Sequence, residues 1–98
     1  MKDRKKTVLI TAGATGSGRV IAELFLTNKW NVHICDINKE FIDKFLIDNP
    51  NASASHIDVG CFDQVKFMFK EYEKLYEHLD VLINNAGVSC LLYTSPSP

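Results

Sequence analysis

The residues with the clearest chemical potential form a glycine-rich segment between an apolar run and a helical pattern. The apolar run covers residues 7–11, and the segment that follows contains Gly13, Ala14, Thr15, Gly16, Ser17 and Gly18. Glycine allows a positive φ and a close backbone approach to a ligand, and the first N–H groups of the next helix point towards that ligand. We expect the glycines to shape the turn and the backbone of residues 14–18 to donate N–H groups to a dinucleotide pyrophosphate. A strand-to-helix turn that uses glycine only for its geometry has the same local pattern, so support must come from elsewhere.

A carboxylate closes the next apolar run. Asp36 ends the run of residues 31–36, eighteen positions after Gly18. At about this spacing an acidic side chain reaches the adenosine ribose and accepts a hydrogen bond from its 2′-hydroxyl. A carboxylate there repels a 2′-phosphate, which favours NAD over NADP. Arg19 is the counter-argument, since a basic group near the loop can favour NADP, but we expect it to be a solvated residue on the first helical turn.

The fourth apolar run ends in Asn84-Asn85-Ala86-Gly87. The small residues let the chain turn closely beside a ligand, and the Asn amides can tie the strand end to its neighbours. Polar or glycine-rich segments thus follow the first, second and fourth strands in the order that a dinucleotide site requires. The residues predict binding of a nicotinamide dinucleotide.

These segments resemble the short-chain dehydrogenase/reductase family, whose fingerprint is Thr-Gly, three residues, and Gly-x-Gly, with Asn-Asn-Ala-Gly after the fourth strand. Here Thr11 and the last two glycines match, Ala12 stands at the first glycine, and Ser17 replaces an apolar residue. We expect Gly13, one place later, to relax the turn. The resemblance covers residues 7–88. It implies that Asp58 and Val59 flank the adenine ring and that Asn84, Ala86 and Gly87 lie along the cofactor ribose.

The resemblance also implies a reaction, namely hydride transfer between the nicotinamide and a carbonyl or alcohol carbon of a small molecule, in a homo-oligomer. The family's catalytic Ser, Tyr-x-x-x-Lys and Asn come downstream of Asn-Asn-Ala-Gly. No residue here matches them: residues 72–76 contain no Tyr-x-x-x-Lys, and Ser89 follows the motif too closely. We therefore expect a cofactor-binding fragment without its own catalytic residues.

Two other classes share part of this pattern. A non-catalytic nucleotide sensor on the same fold would have every feature described so far. A methyltransferase also uses a glycine loop and an acid after its second strand, but it usually carries an acidic residue in or before the loop, where Ile10 and Thr11 stand.

The elements that must position these residues follow from periodicity. Apolar runs at 7–11, 31–36, 53–58 and 81–84 alternate with helical patterns at about 17–28, 39–49 and 62–78. This alternation predicts an α/β fold, the N-terminal half of a Rossmann-type doubly wound parallel sheet in the order 3-2-1-4. Asn38 is placed to cap the second helix. The aromatic stripe of the third helix, from Val65 to Leu79, predicts core packing.

Composition and net charge limit the classes of binding partner to expect. The net charge of −1 and the mixed charges give no reason to expect nucleic acid or membrane surfaces as partners, and no apolar stretch is long enough to span a bilayer. Cys35, Cys61 and Cys90 lack metal-binding spacing, which predicts reduced thiols, no metal site and a cytoplasmic protein. We expect His33, His56 and His78 to be packing or surface residues.

The last nine residues break the pattern. Residues 90–98 match, residue for residue, the translation of a transposase adapter used in sequencing libraries. We therefore expect residues 1–89 to be a partial NAD(P)-binding domain and residues 90–98 a non-native tail. Amplification across the junction from source DNA tests this expectation, and a contiguous genomic read through Cys90 would overturn it.

Overall fold

The computed structural model describes residues 5–85, which alternate strand and helix as predicted. The strands are β1 (Thr7–Thr11), β2 (Asn31–Asp36), β3 (Ser53–His56) and β4 (Val81–Ile83). The helices are α1 (Gly16–Thr27), α2 (Lys39–Asp48) and α3 (Phe62–Leu75). Each of the first three strands is therefore followed by a helix that leads to the next strand.

The four strands form one parallel sheet in the order β3-β2-β1-β4, which confirms the predicted order. Ile10 of β1 lies beside Ile34 of β2 on one side and Ile83 of β4 on the other. Because the strands are parallel, their carboxyl ends meet at one edge of the sheet. In sheets of this kind ligands bind at that edge, where the strand order reverses between β1 and β4.

The core lies on both faces of the sheet. On one face alternate residues of β1 and β2 pack against α1 and α2; this cluster includes Val8, Ile10, Val32, Ile34, Ala22 and Phe45. On the other face Leu9 and Cys35 pack against Ile57 and Met68 of the α3 side. Every residue of β1 is buried, as expected for a central strand covered by helices on both faces. The two layers hold the strand ends in fixed register.

Two element ends differ from the sequence prediction. Strand β3 ends at His56 rather than Asp58, because Asp58 starts a turn in which its Oδ1 accepts the N–H of Gly60 at 2.8 Å. Helix α3 ends at Leu75 rather than near residue 78, since Tyr76 has an extended backbone. The predicted cap of α2 is confirmed: the side chain of Asn38 accepts the N–H of Phe41 at 3.0 Å. None of the helices within residues 5–85 has the length and hydropathy needed to cross a bilayer.

Candidate nucleotide-binding site

The turn after β1 is built differently from the sequence prediction. Ala12, not Gly13, takes the left-handed conformation, with a φ of +53°. Gly13 is needed instead for space, because a Cβ there would lie 2.6 Å from Cγ2 of Ile34. The expectation that Gly13 relaxes the turn is therefore wrong. The left-handed residue stays where the family fingerprint has its first glycine, and Gly13 lets the loop pack onto β2.

The other two glycines of the loop have different structural uses. Gly16 begins α1 with a φ of +61°, and a Cβ there would meet no atom within 4 Å. The space that a side chain would occupy at this position is thus open. A Cβ at Gly18 would collide with the carbonyl oxygen of Ala12, so this glycine lets α1 pack directly against the loop backbone.

The backbone N–H groups in the first turn of α1 are placed to bind an anion. Among the described residues, no side chain caps this helix at Thr15, and its first turn holds no acidic residue. Helix α2, in contrast, is capped by Asn38 and carries Glu40 in its first turn. Helix α3 lacks a side-chain cap but has Asp63 there. Unbonded N–H groups at a helix start attract phosphate groups, and α1 alone of the three presents them without an internal carboxylate.

Asp36 ends β2 beside this loop and is 9% exposed. Its Oδ2 accepts the N–H of Ala14 at 3.1 Å, and its Oδ1 accepts the N–H of Asn38 at 3.0 Å. The prediction that Ala14 donates its N–H to a phosphate is therefore wrong for this structure, because that N–H is already bonded. The remaining candidates for phosphate contact are the N–H groups of Thr15 to Gly18.

Arg19 lies on the first turn of α1, as predicted, but it is not a solvated residue. Its Nε contacts Glu23 at 2.9 Å, one of its amino groups contacts Asp48 at 2.6 Å, and its guanidinium stacks over the ring of Phe45. The hydrogen bonds to Asp48 and Glu23 raise the pKa of Arg19. The side chain is committed to the α1–α2 contact, which weakens the case for Arg19 as a binder of a 2′-phosphate.

Strand β4 closes the loop from the other side. Asn85 donates from Nδ2 to the carbonyl oxygen of Ala12 at 3.2 Å and accepts from Ser17 at 3.3 Å. Thr11 donates to Oδ1 of Asn84 at 3.0 Å. The two Asn amides therefore tie the end of β4 to its neighbours, as the sequence predicts: Asn84 bonds the end of β1, and Asn85 bonds the glycine loop. Ala86 and Gly87 lie outside the described residues.

A cleft of about 200 Å³ opens beside Asp36. Its lining is Ala12, Cys35, Asp36, Ile37, Ile57, Asp58 and Val59. The structure thus brings Asp58 and Val59 to the same cleft as the carboxylate of β2. Complete ligand pockets measure roughly 300–1,000 Å³, so this cleft has room for one end of a dinucleotide.

Four residues that line the cleft are absent from the sequence prediction of the site, namely Ala12, Cys35, Ile37 and Ile57. For Asn85 the sequence predicts only that it ties the strand end to its neighbours, and its bond to Ala12 agrees with that role. The signal available in the sequence was an apolar residue, Ile37, directly after the strand-ending carboxylate of Asp36; in the structure Ile37 is 64% exposed. Burial raises the pKa of the Cys35 thiol to about 12, so this group stays neutral at the base of the cleft. Within residues 5–85 no cluster of His, Cys, Asp and Glu could hold a metal ion.

Comparison with known proteins gives one consistent family. A profile described as short chain dehydrogenase matches residues 6–96. A short chain dehydrogenase/reductase from Colletotrichum higginsianum is 39% identical over 87 residues, which cover 85% of this chain and 32% of that protein. An NAD-dependent glycerol dehydrogenase from Listeria innocua is 31% identical over 87 residues, covering 88% of this chain and 34% of that protein.

Solved structures agree with these relatives. The structure described as ElxO with NADP bound has a TM-score of 0.75 and 34% identity, and the match covers 84% of this chain and 35% of that one. The chain spans about a third of the length of the curated relatives it matches. Its parallel sheet, its glycine loop and its Asn-Asn strand end all agree with the profile match, so the chain belongs to the short-chain dehydrogenase/reductase family.

Proposed function

We propose that this chain is the adenosine-binding, N-terminal part of an NAD-preferring short-chain oxidoreductase. The observation that carries the proposal is the meeting of three features at one sheet edge. The Asp36 carboxylate, the cleft that Asp58 and Val59 line, and the open start of α1 at Gly16 lie around the same loop. Together they offer an acceptor for ribose hydroxyls, an apolar slot for a base and N–H donors for phosphates.

The described residues fit the adenosine half of the cofactor. Ile37, Ile57 and Val59 would hold the adenine ring, with Asp58 at its edge, and Asp36 would accept hydrogen bonds from the ribose. The backbone N–H groups of residues 15–18 would bind the pyrophosphate. Asn84, Ala86 and Gly87 are the proposed contacts to the second ribose. When bound, the nicotinamide supplies a hydride donor or acceptor.

The preference for NAD rests on charge. A carboxylate beside the ribose repels the 2′-phosphate of NADP, and Arg19 is held by Glu23 and Asp48. The relatives include both an NAD-dependent enzyme and a structure with NADP bound, so family membership does not decide the preference. Asp36 is the residue that does.

The first prediction compares the two cofactors. Titration of the complete protein with NADH and NADPH should give tighter binding of NADH. A charge-assisted hydrogen bond contributes about 1.5–3 kcal/mol, so Asp36→Ala should reduce the preference roughly tenfold to a hundredfold. Asp43→Ala, which removes an exposed carboxylate on α2, is the control and should keep the preference. Tighter binding of NADPH by the unmodified protein would contradict the proposal.

We propose that the complete protein transfers a hydride to or from a small carbonyl or alcohol substrate, acts as a homo-oligomer and is cytoplasmic.

The second prediction concerns the 98-residue chain itself. Because the family's catalytic Ser, Tyr and Lys have no counterparts here, this chain should oxidise no NADH against a panel of carbonyl compounds. Turnover above a no-enzyme control would show that catalytic residues are present after all.

A further inference from the structure

We propose that Asp36 is also a positioning residue, which holds the glycine loop in its binding shape before a nucleotide arrives. The part of this inference that concerns nucleotide affinity rests on the proposed function. The part that concerns the shape of the loop does not. The basis of the inference is that both carboxylate oxygens accept backbone N–H groups, one from Ala14 in the loop and one from Asn38 at the cap of α2.

The contact to Ala14 is the one that fixes the loop. Ala14 is 2% exposed, and a buried N–H without an acceptor is strongly disfavoured. The neighbouring N–H of Gly13 donates to the carbonyl oxygen of Cys35 at 3.2 Å, so two successive loop amides are bonded to the end of β2. One acceptor is backbone and survives any substitution. The other is the side chain of Asp36.

The loop is held from two sides, and Asp36 supplies one of them. On the β4 side Asn85 bonds the carbonyl oxygen of Ala12 and the hydroxyl of Ser17. On the β2 side the Asp36 carboxylate bonds Ala14. Thr15 and Gly16 lie between the anchored residues Ala14 and Ser17, are exposed, and carry N–H groups proposed for the pyrophosphate. Loss of the Asp36 anchor would therefore disturb the phosphate donors as well as the ribose contact.

The positioning role and the ribose role are compatible. Each carboxylate oxygen can accept two hydrogen bonds, and the described contacts use one on each. The remaining capacity is available to ribose hydroxyls. A substitution at Asp36 made to admit a 2′-phosphate would also remove the loop acceptor, so it should weaken nucleotide binding in general.

The test separates the two roles with a ligand that lacks ribose hydroxyls. ADP and 2′,3′-dideoxy-ADP are titrated against the unmodified complete protein and against its variants Asp36→Ala, Asp36→Asn and, as the control, Asp43→Ala. If Asp36 only binds the ribose, Asp36→Ala leaves the affinity for dideoxy-ADP unchanged. If it positions the loop, Asp36→Ala weakens dideoxy-ADP binding by about tenfold, the effect of one lost charge-assisted hydrogen bond. Asp36→Asn keeps one acceptor oxygen and should recover part of that loss.

A measurement without ligand completes the test. Amide hydrogen exchange of Ala14 should be slow in the unmodified chain and in Asp43→Ala, and about tenfold or more faster in Asp36→Ala. The amides of Leu9 and Ile10 in β1 report whether each variant is folded. Unchanged exchange at Ala14 in folded Asp36→Ala would overturn the positioning role. If neither nucleotide binds the unmodified complete protein, the proposed function fails, while the exchange result still decides this inference.

Discussion

At the scale of single residues, the turn after β1 shows a local conflict between residue type and backbone. Ala12 has a φ of +53°, a conformation that costs an L-residue roughly 1–2 kcal/mol. The next residue is a glycine that does not use this freedom. Its missing side chain instead makes room for Ile34. Position 12 thus has the strained backbone without a glycine to relieve it. Position 13 has the close packing, and there glycine is the residue that fits.

A third prediction follows from this pair of residues. Ala12→Gly should raise the free energy of unfolding by about 0.5–1 kcal/mol, because relief of the left-handed strain outweighs the greater flexibility of glycine in the unfolded chain. The measurement is urea denaturation followed by circular dichroism.

Gly13→Ala is the matched comparison. It should lower the free energy of unfolding by about 1–3 kcal/mol, because the new methyl group overlaps Ile34. A destabilised Ala12→Gly together with a neutral Gly13→Ala would mean that the turn has the other conformation.

At the scale of elements, a buried histidine links β2, β3 and the end of α3. His33 is 1% exposed; its Nδ1 lies 2.7 Å from the Ser53 hydroxyl and its Nε2 lies 2.8 Å from that of Ser55. The Ser53 hydroxyl also lies 2.9 Å from that of Tyr76, just after α3. The rings of Tyr72 and Tyr76 pack edge-on against the imidazole. The predicted packing role of this histidine is therefore correct, and polar contacts fix its place.

A fourth prediction concerns acid. Burial lowers the pKa of His33 from 6.5 to about 4, so the folded chain favours the neutral ring. The contribution of His33 to the free energy of unfolding is complete above the pKa of the unfolded chain. It is lost as the pH falls, because the unfolded chain then binds a proton that the folded chain does not. The loss should reach about 3 kcal/mol between about pH 7 and about pH 4.

Variants isolate this contribution. Chemical denaturation across the same pH range should show a shallower pH dependence for His33→Gln than for the unmodified chain. His56→Gln makes the same substitution at an exposed histidine and is the control. Equal slopes for all three chains would show that His33 does not titrate in this way.

The secondary structure and much of the candidate site could be predicted from the sequence, for physical reasons. The strands and helices follow from apolar periodicity, and the cap of α2 follows from the type of Asn38. The placement of Asp36, Asp58 and Asn84 follows from the rule that parallel strands end at one edge. What could not be predicted depends on contacts across the fold. The space that Gly13 gives to Ile34, the bond between Ala14 and Asp36, and the capture of Arg19 by Asp48 join residues that are distant in sequence.

At the scale of the whole molecule, β4 is an edge strand of the sheet that residues 5–85 form. Within residues 5–85, β4 pairs with β1 alone, and Leu82 at its centre is 53% exposed. Leu79, just before β4, is also exposed, and so are Val20 and Leu24 on α1. Exposed strand edges with apolar side chains pair readily with other chains.

A fifth prediction is that the 98-residue chain self-associates through β4 and has low solubility. Size-exclusion chromatography should show oligomers or aggregates, and Leu82→Lys should increase the monomer fraction because a charged edge strand resists pairing. Ile47→Lys places the same charge at a residue on α2 that is 77% exposed and should have little effect. A monodisperse monomer with a cooperative thermal melt would contradict this prediction.

The distance along the chain between β1 and β4 bears on when the site forms. Asn84 and Asn85 contact residues 73 positions earlier, whereas β1 and β2 are joined at Thr7 and Asn31 by a much shorter crossover. Closing the longer loop costs about 1 kcal/mol more entropy, so β1, β2 and β3 should assemble first and β4 should dock last. The Asp36 side of the glycine loop would then form early in folding, and the Asn85 side late. During synthesis on the ribosome, a chain that has not yet released residue 85 would hold only half of the phosphate-binding turn.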